Sequence, residues 1–409
     1  MRVNWFACGG ALAASLLGVT TSRAEEADTP SDADFAAAIA ADQATASENP
    51  PATIVPATVA TVVRQMNPDI SLILDAGLAW FDVSEHLRQG GHAMDDNGFA
   101  IQGLEFAASA SVDPFFRFDM NFELSHMHLE EVYLTTLALP CNLQARLGYF
   151  NAQFGRQNPQ HLHTWHFTNP PLSQTRFMSE EHFSGPGAEV SLLLPLPWYV
   201  MVFGEAFGSI GELALRSSTF GAPPLTKSGR IDGLEDFVYV SRIVNFFALS
   251  DDWSLNFGVD GAWGQSPYVP DNRADLFGAD LYLKWRPIST GDDDMAVALT
   301  VEGVMRDTQI PGDFVRDWGG YAQLDFQIDR SWIANVRADY TGKLSGTPLV
   351  GTNLAGKQWR GSGAVTVLPS HFAKVRIQLD VGKDKRMPTY FAGFFQVEVS
   401  AGEHGAHTF

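Results

Sequence analysis

Residues 116–125 read FRFDMNFELS and residues 374–381 read KVRIQLDV. In the first, Phe116, Phe118, Met120, Phe122 and Leu124 alternate with Arg117, Asp119, Asn121, Glu123 and Ser125. In the second, Val375, Ile377, Leu379 and Val381 alternate with Lys374, Arg376, Gln378 and Asp380. A period of two belongs to the β-strand, whose successive side chains point to opposite faces. The same alternation runs through 253–260 (WSLNFGVD) and 322–329 (AQLDFQID). One face of each strand is apolar and the other carries full charges. A soluble β-sandwich alternates too, so the number and spacing of the segments must decide.

About sixteen such segments follow residue 68, the first five near 69–82, 98–112, 115–128, 130–139 and 142–155, the last near 388–400. An even count suits a bacterial single-chain barrel. Tight turns (VDPF, ALPC, PLPW, LSDDW, DRSW, LPSHF) exchange with longer loops, notably 156–185 and 210–233. Short turns at one end and long loops at the other are the outer-membrane pattern. Phe115, Trp198, Trp253, Trp285, Trp332 and Phe372 stand at segment ends, where an interfacial girdle belongs. In hydrocarbon an unpaired backbone N–H or C=O costs several kcal/mol, so such a sheet must close on itself. The expected fold is therefore all-β: a closed antiparallel transmembrane β-barrel of about 16 strands, with short periplasmic turns and long external loops. Its place is the bacterial outer membrane and its first partner is lipid.

Composition removes the main rivals. The chain has 409 residues, 27 Lys+Arg against 47 Asp+Glu and a net charge of −20, which excludes nucleic acid as a partner. At 45% hydrophobic it can build a core. The most apolar stretch, 190–204 (VSLLLPLPWYVMVFG), is broken by Pro195 and Pro197 and reads as two strands and a turn. No run reaches the roughly 18–20 apolar residues of a spanning helix. Residues 1–24 carry Arg2, an apolar core from Trp5 to Val19, and Ser22-Arg23-Ala24, which predicts a signal peptide cleaved after Ala24. Its removal leaves Cys141 as the one cysteine, so no disulfide within the chain is expected. Residues 25–67, rich in Ala, Thr and acids, read as a flexible periplasmic tether, and 68–409 as the barrel.

The stretch 67–208 adds a resemblance. NPDISLILDAGLAWF, QGLEFAASASVDPFFRFDMNFELS, LPCNLQARLGYFNAQFGRQNPQHLHTW and PLPWYVMVFGEAFG resemble a family of porin-like outer-membrane proteins distantly similar to phosphate-selective porins. Its members are often labelled zinc-regulated TonB-dependent outer membrane receptors. The chain also ends in Phe409, similar to the terminal aromatic by which the barrel assembly machinery recognises such barrels. The resemblance implies a channel, and sixteen-stranded porins are commonly homotrimers. In such porins the third external loop folds into the barrel and narrows it. By strand count that loop is 156–185.

Inward positions read from the alternation include Arg117, Asp119, Glu123, Arg146, Asp260, Asp325, Arg337, Asp339, Lys374, Arg376 and Asp380. With Lys284, Arg286, Asp280, Glu302, Asp329 and Glu398 the acids outnumber the bases, which predicts a weak cation preference for a pore of small polar solutes or ions. The loop holds His161, His163, His166 and His182 with Glu180 and Glu181; His126 and His128 precede Glu130 and Glu131 in the external turn before it. Imidazoles with carboxylates suit Zn, so a divalent-metal site at the constriction is one reading, and polar packing of an inward loop is the other. Passage itself requires no cofactor. His404 and His407 close the chain, and His86 and His92 have no evident partners. The alternatives are a TonB-linked metal receptor, which wants a plug domain longer than 25–67, and a structural or adhesive barrel. An enzyme is not expected: Ser125 beside His126 and His128 is the one suggestive cluster, and neighbours in sequence need not hydrogen-bond.

Overall fold

The computed structural model describes residues 68–87, 89–178, 182–208, 233–265, 272–288, 295–310, 312–346, 356–385 and 387–402. The expected signal peptide, the tether and the terminal residues His404, His407 and Phe409 lie outside them, as do Glu180 and Glu181. Sixteen strands follow one another: β1 Asp69–Phe81, β2 Gly98–Ser111, β3 Phe116–Glu123, β4 His128–Thr136, β5 Leu143–Asn151, β6 Ser184–Leu193, β7 Tyr199–Phe207, β8 Val238–Ala248, β9 Trp253–Gln265, β10 Arg273–Trp285, β11 Ala296–Ile310, β12 Asp313–Gln327, β13 Trp332–Ser345, β14 Gln358–Ser370, β15 Ala373–Asp384 and β16 Tyr390–Gly402. Each pairs antiparallel with its neighbours in sequence, and β1 closes the barrel on β16, from Ser71 opposite Gly402 to Phe81 opposite Ala392. Closure leaves no strand edge to lipid.

The outer face is apolar. Leu72, Leu78, Leu147, Val190, Ile243, Val259, Val301, Leu324, Val336, Ile377, Leu379 and Phe395 are exposed on it. Phe115, Trp198, Trp253, Trp332 and Phe372 are exposed at the short-turn end, and the Trp253 and Trp285 rings lie 6.5 Å apart. Trp80, Phe99, Tyr239, Trp318, Trp359 and Phe391 form a second aromatic ring toward the other end. Two aromatic girdles around an apolar band match the two interfaces of a bilayer.

The third segment is shorter than its alternation implies. β3 stops at Glu123 rather than running to residue 128, because the N–H and hydroxyl of Ser125 turn back to the Glu123 carboxylate (2.7 and 2.5 Å). The chain then reverses through Met127, whose φ is 52°. β3, β4 and β5 are 8, 9 and 9 residues long, against 15 in β11 and β12. The wall is low on that side, and two external loops fold inward over it.

Candidate functional site

The loop 152–183 leaves β5, crosses the lumen and returns to β6. Its neck is tied by Asn158, whose Nδ2 donates to the carbonyls of Ala152 and Phe183 (2.8 and 3.1 Å) while its Oδ1 accepts from the Phe183 N–H (2.7 Å). The N–H groups of Arg156 and Gln157 then reach Glu302 Oε2 on β11 (2.9 and 3.1 Å). This approach needs Gly155, at φ +66°, since a Cβ there would stand 2.3 Å from the Glu302 carboxylate. Phe154, Phe177, Met178 and Phe183 pack with Phe207, Val238, Val240, Leu276 and Val304 of the upper wall. The shorter loop 82–97 folds in beside it: Leu87 and Met94 are buried with Phe81, Leu172 and Phe394, and Asn169 donates to Gln89 (2.7 Å).

Across the lumen the loop meets a basic wall. Arg376 donates to the Trp165 carbonyl (2.6 Å), Lys374 to that of His163 (2.7 Å), Arg337 to that of Asn169 (3.0 Å) and Arg360 to that of Pro170 (2.5 Å). Acids between these bases take the loop's donors. Asp380 accepts from Asn169 (2.8 Å) and Asp339 from the Leu172 N–H (3.1 Å). Asp339 also pairs with Arg337 and Arg360 (3.1 and 3.3 Å). A short helix, α1 (Leu172–Phe177), carries Arg176 to Asp317, which Arg306 also binds (3.2 and 2.9 Å). Burial, and then Arg306 nearby, draw the Arg176 guanidinium below its ordinary pKa against the pull of Asp317. Charge-assisted bonds of this kind contribute about 1.5–3 kcal/mol each.

The opposite corner is acidic. Two β-bulges make it. Gln102 is skipped in the pairing of β2 with β1, and Glu130 is skipped in the pairing of β4 with β3. A bulge turns neighbouring residues to one face. Glu130 and Glu131 are accordingly both buried in the lumen, with Glu105 and Glu123 beside them. His161 of the loop enters this group. Its Nε2 lies 2.9 Å from Glu131, and its Nδ1 is 3.4 Å from Glu130 and 3.8 Å from Glu105. His163 Nδ1 donates to Glu105 (3.0 Å), and His92 Nε2 lies 3.4 Å from Glu130. Burial alone would lower the His161 pKa, but Glu105, Glu130 and Glu131 together raise it well above the usual value. His182 moves the other way, to about 4, through burial and the nearby His161 and His92.

Below the loop, toward the short turns, two cavities open. One, of about 510 Å³, is roofed by His163, Trp165 and His166 and lined by Arg286, Arg330, Lys374 and Arg376. The other, of about 400 Å³, reaches Arg156, His161, Lys284 and Asp325.

Of the residues read as inward from the sequence, Asp325, Arg337, Asp339, Lys374, Arg376 and Asp380 are buried, and Arg117 near the short-turn mouth is half exposed. Most are tied in pairs: Arg117 to Asp119 (2.8 Å), Arg146 to Glu189, Arg242 to Asp260 and to Asp280 (2.8 Å), Lys374 to Glu398. The six histidines expected together do not all meet. His161, His163 and His182 do. His166 sits 3.8 Å from Asp325, where burial lowers its pKa. His128 opens β4 opposite Glu123, and His126 is exposed at the lip, its ring 6.3 Å from that of His92. His92, expected to stand without partners, is buried inside the group, because the loop 82–97 folds inward. His86 stacks on Phe81 at 3.8 Å. Ser125 does approach His126 Nδ1 (3.0 Å), but the carboxylate of Glu123 holds the serine hydroxyl and not the imidazole, which is the wrong order for activating a nucleophile.

No family model matches the chain. An uncharacterized protein of Aquifex aeolicus (strain VF5) is 26% identical over 383 residues, 84% of this chain and 80% of that one. Among solved structures, OprB of Pseudomonas putida superposes with a TM-score of 0.55 at 10% identity, covering 84% of this chain and 96% of its own. An anion-selective porin from Comamonas acidovorans gives 0.53 at 8% identity, covering 82% and 99%. The outer membrane channel DcaP of Acinetobacter baumannii gives 0.50 at 10%, covering 82% and 97%. The fold is thus that of porin-like outer-membrane barrels, in keeping with its apolar outer belt.

Proposed function

We propose that the barrel is a passive channel for small polar solutes, narrowed by its own loop 152–183. The observation that carries this reading is the ladder of charged side chains on β11 and β13–β15 that holds the loop across the lumen. Charges and dipoles at a narrow aqueous passage sort what diffuses through it. A receptor driven through TonB places a separate plug domain in its barrel; here the barrel's own loops 82–97 and 152–183 occupy the lumen, which favours passive passage. An adhesive barrel would have no use for a held constriction. Conductance across a planar bilayer tests the reading. Discrete channel steps are expected, and a tight, non-conducting barrel would overturn it.

The weak cation preference expected from counting charges stays our proposal for selectivity. Pairing consumes charges of both signs: Asp260 and Asp280 meet Arg242, Asp339 meets Arg337 and Arg360, Lys374 meets Glu398, and Arg376 binds a loop carbonyl. The reversal potential in a KCl gradient gives the sign directly. We also propose a homotrimer, on the architecture alone, to be checked by native mass measurement in detergent.

A further inference from the structure

We propose that Glu105, Glu130 and His161 bind one divalent first-row transition ion of the Zn type, which clamps the loop 152–183 to β2 and β4. The site stands or falls independently of whether the barrel conducts.

One donor atom from each of these residues lies within 4.8 Å of the other two. His161 Nδ1 is 3.4 Å from Glu130 Oε2 and 3.8 Å from Glu105 Oε1. Donors bound tetrahedrally at about 2.0–2.1 Å stand about 3.3–3.4 Å apart, so the His161–Glu130 edge already fits and the other two close by less than about 1.5 Å.

The second observation is what these atoms lack. Glu105 Oε1, Glu130 Oε2 and His161 Nδ1 are all buried without a hydrogen bond, and Glu105 and Glu130 are 6% and 7% exposed. Buried polar atoms are normally satisfied, and three converging exceptions point to an absent partner. Charge points the same way. Glu105, Glu123, Glu130 and Glu131 are all buried, and among the described residues no Lys or Arg forms an ion pair with any of them. Histidines are their only ion-pair partners among the described residues; buried carboxylates with so few cationic partners are costly, and a divalent cation lowers that cost.

The surroundings also suit a ligand histidine. Nε2–H of His161 donates to Glu131 Oε2 (2.9 Å), leaving Nδ1 as the lone pair. A metal-bound histidine commonly holds a carboxylate on its other nitrogen, which fixes tautomer and ring orientation. The Asn121 amide is 2.9 Å from the same Nε2; turned over, its oxygen shares that hydrogen. His163 secures the second oxygen of Glu105 (3.0 Å). His92, 4% exposed and with neither nitrogen hydrogen-bonded, stands 3.4 Å from the other oxygen of Glu130. Imidazole with carboxylates selects Zn, Cu or Ni over Ca and Mg. His161 also lines the cavity of about 400 Å³.

The test uses the full chain, folded in detergent and stripped of metal. Equilibrium dialysis against ZnCl2 should give one ion per chain. His161→Ala and Glu130→Gln should each weaken binding at least tenfold, and Glu131→Gln about 10–100-fold as a supporting partner. His371→Ala, at an exposed short turn, should leave it unchanged. Because a variant could fail to fold, Co2+ is added to the unaltered protein as well. Intense visible bands of low-coordinate cobalt, displaced by Zn2+, are expected. Absence of stoichiometric Zn2+, only the pale spectrum of six-coordinate cobalt, or undiminished affinity in folded His161→Ala and Glu130→Gln would each overturn the proposal.

Discussion

The loop 152–183 hangs between two walls that hold it by opposite chemistry. On β13–β15, guanidinium and ammonium groups bind its carbonyls directly, and the acids among them are already neutralised. On β2–β4, carboxylates face imidazoles, and several of the facing atoms have no hydrogen bond. The first wall is complete as it stands. The second requires a positive charge, supplied by a proton or an ion. A loop held by Arg is fixed at any pH a cell meets, since Arg stays charged; a loop held by His and Glu is held conditionally.

Removing the loop should have the largest effect. A chain in which 153–182 is replaced by a short turn should conduct several-fold more in planar bilayers, and unchanged conductance would place the constriction elsewhere. Next in size comes Arg360→Ala, which strips a fully buried partner from Asp339. Asp339 keeps Arg337, but Arg360 also donates to Gln89 and the Pro170 carbonyl, so several charge-assisted bonds at about 1.5–3 kcal/mol each are lost, to be read as a lower midpoint of urea unfolding in detergent. Arg376→Ala removes the charged donor to the Trp165 carbonyl and should cost less, about 1.5–3 kcal/mol, with noisier open-channel current as the loop loosens. Arg117→Ala marks the lower end of the scale. Its pair with Asp119 is half exposed, so the unfolding midpoint should move by no more than about 0–1 kcal/mol.

The barrel was legible in the alternation because inward and outward positions differ in kind. Lys374, Arg376, Gln378 and Asp380 could only face water or each other, and Val375, Ile377 and Leu379 only lipid. The acidic corner was harder to read because bulges break that rule. Its signs were local: Gly103 inside a strand pattern, where a Cβ would meet Glu123 at 2.9 Å, and the adjacent Glu130 and Glu131, which cannot alternate. His92 carried no sign. It lies in an aperiodic loop whose inward course depends on Leu87 and Met94 burying against Phe81 and Phe394, residues far off in the chain. Nor could the sequence separate His166 from His163, three residues away, although one meets Asp325 of β12 and the other Glu105 of β2.

By itself the chain determined its strands, their number and, away from the bulges, the side each residue faces, because period, turn residues and charge are local properties. Which charge meets which was decided only when the barrel closed. Closure sets residues hundreds of positions apart, such as Asn169 and Asp380, within 2.8 Å, and ion pairing in a lumen depends on that distance and not on sequence order.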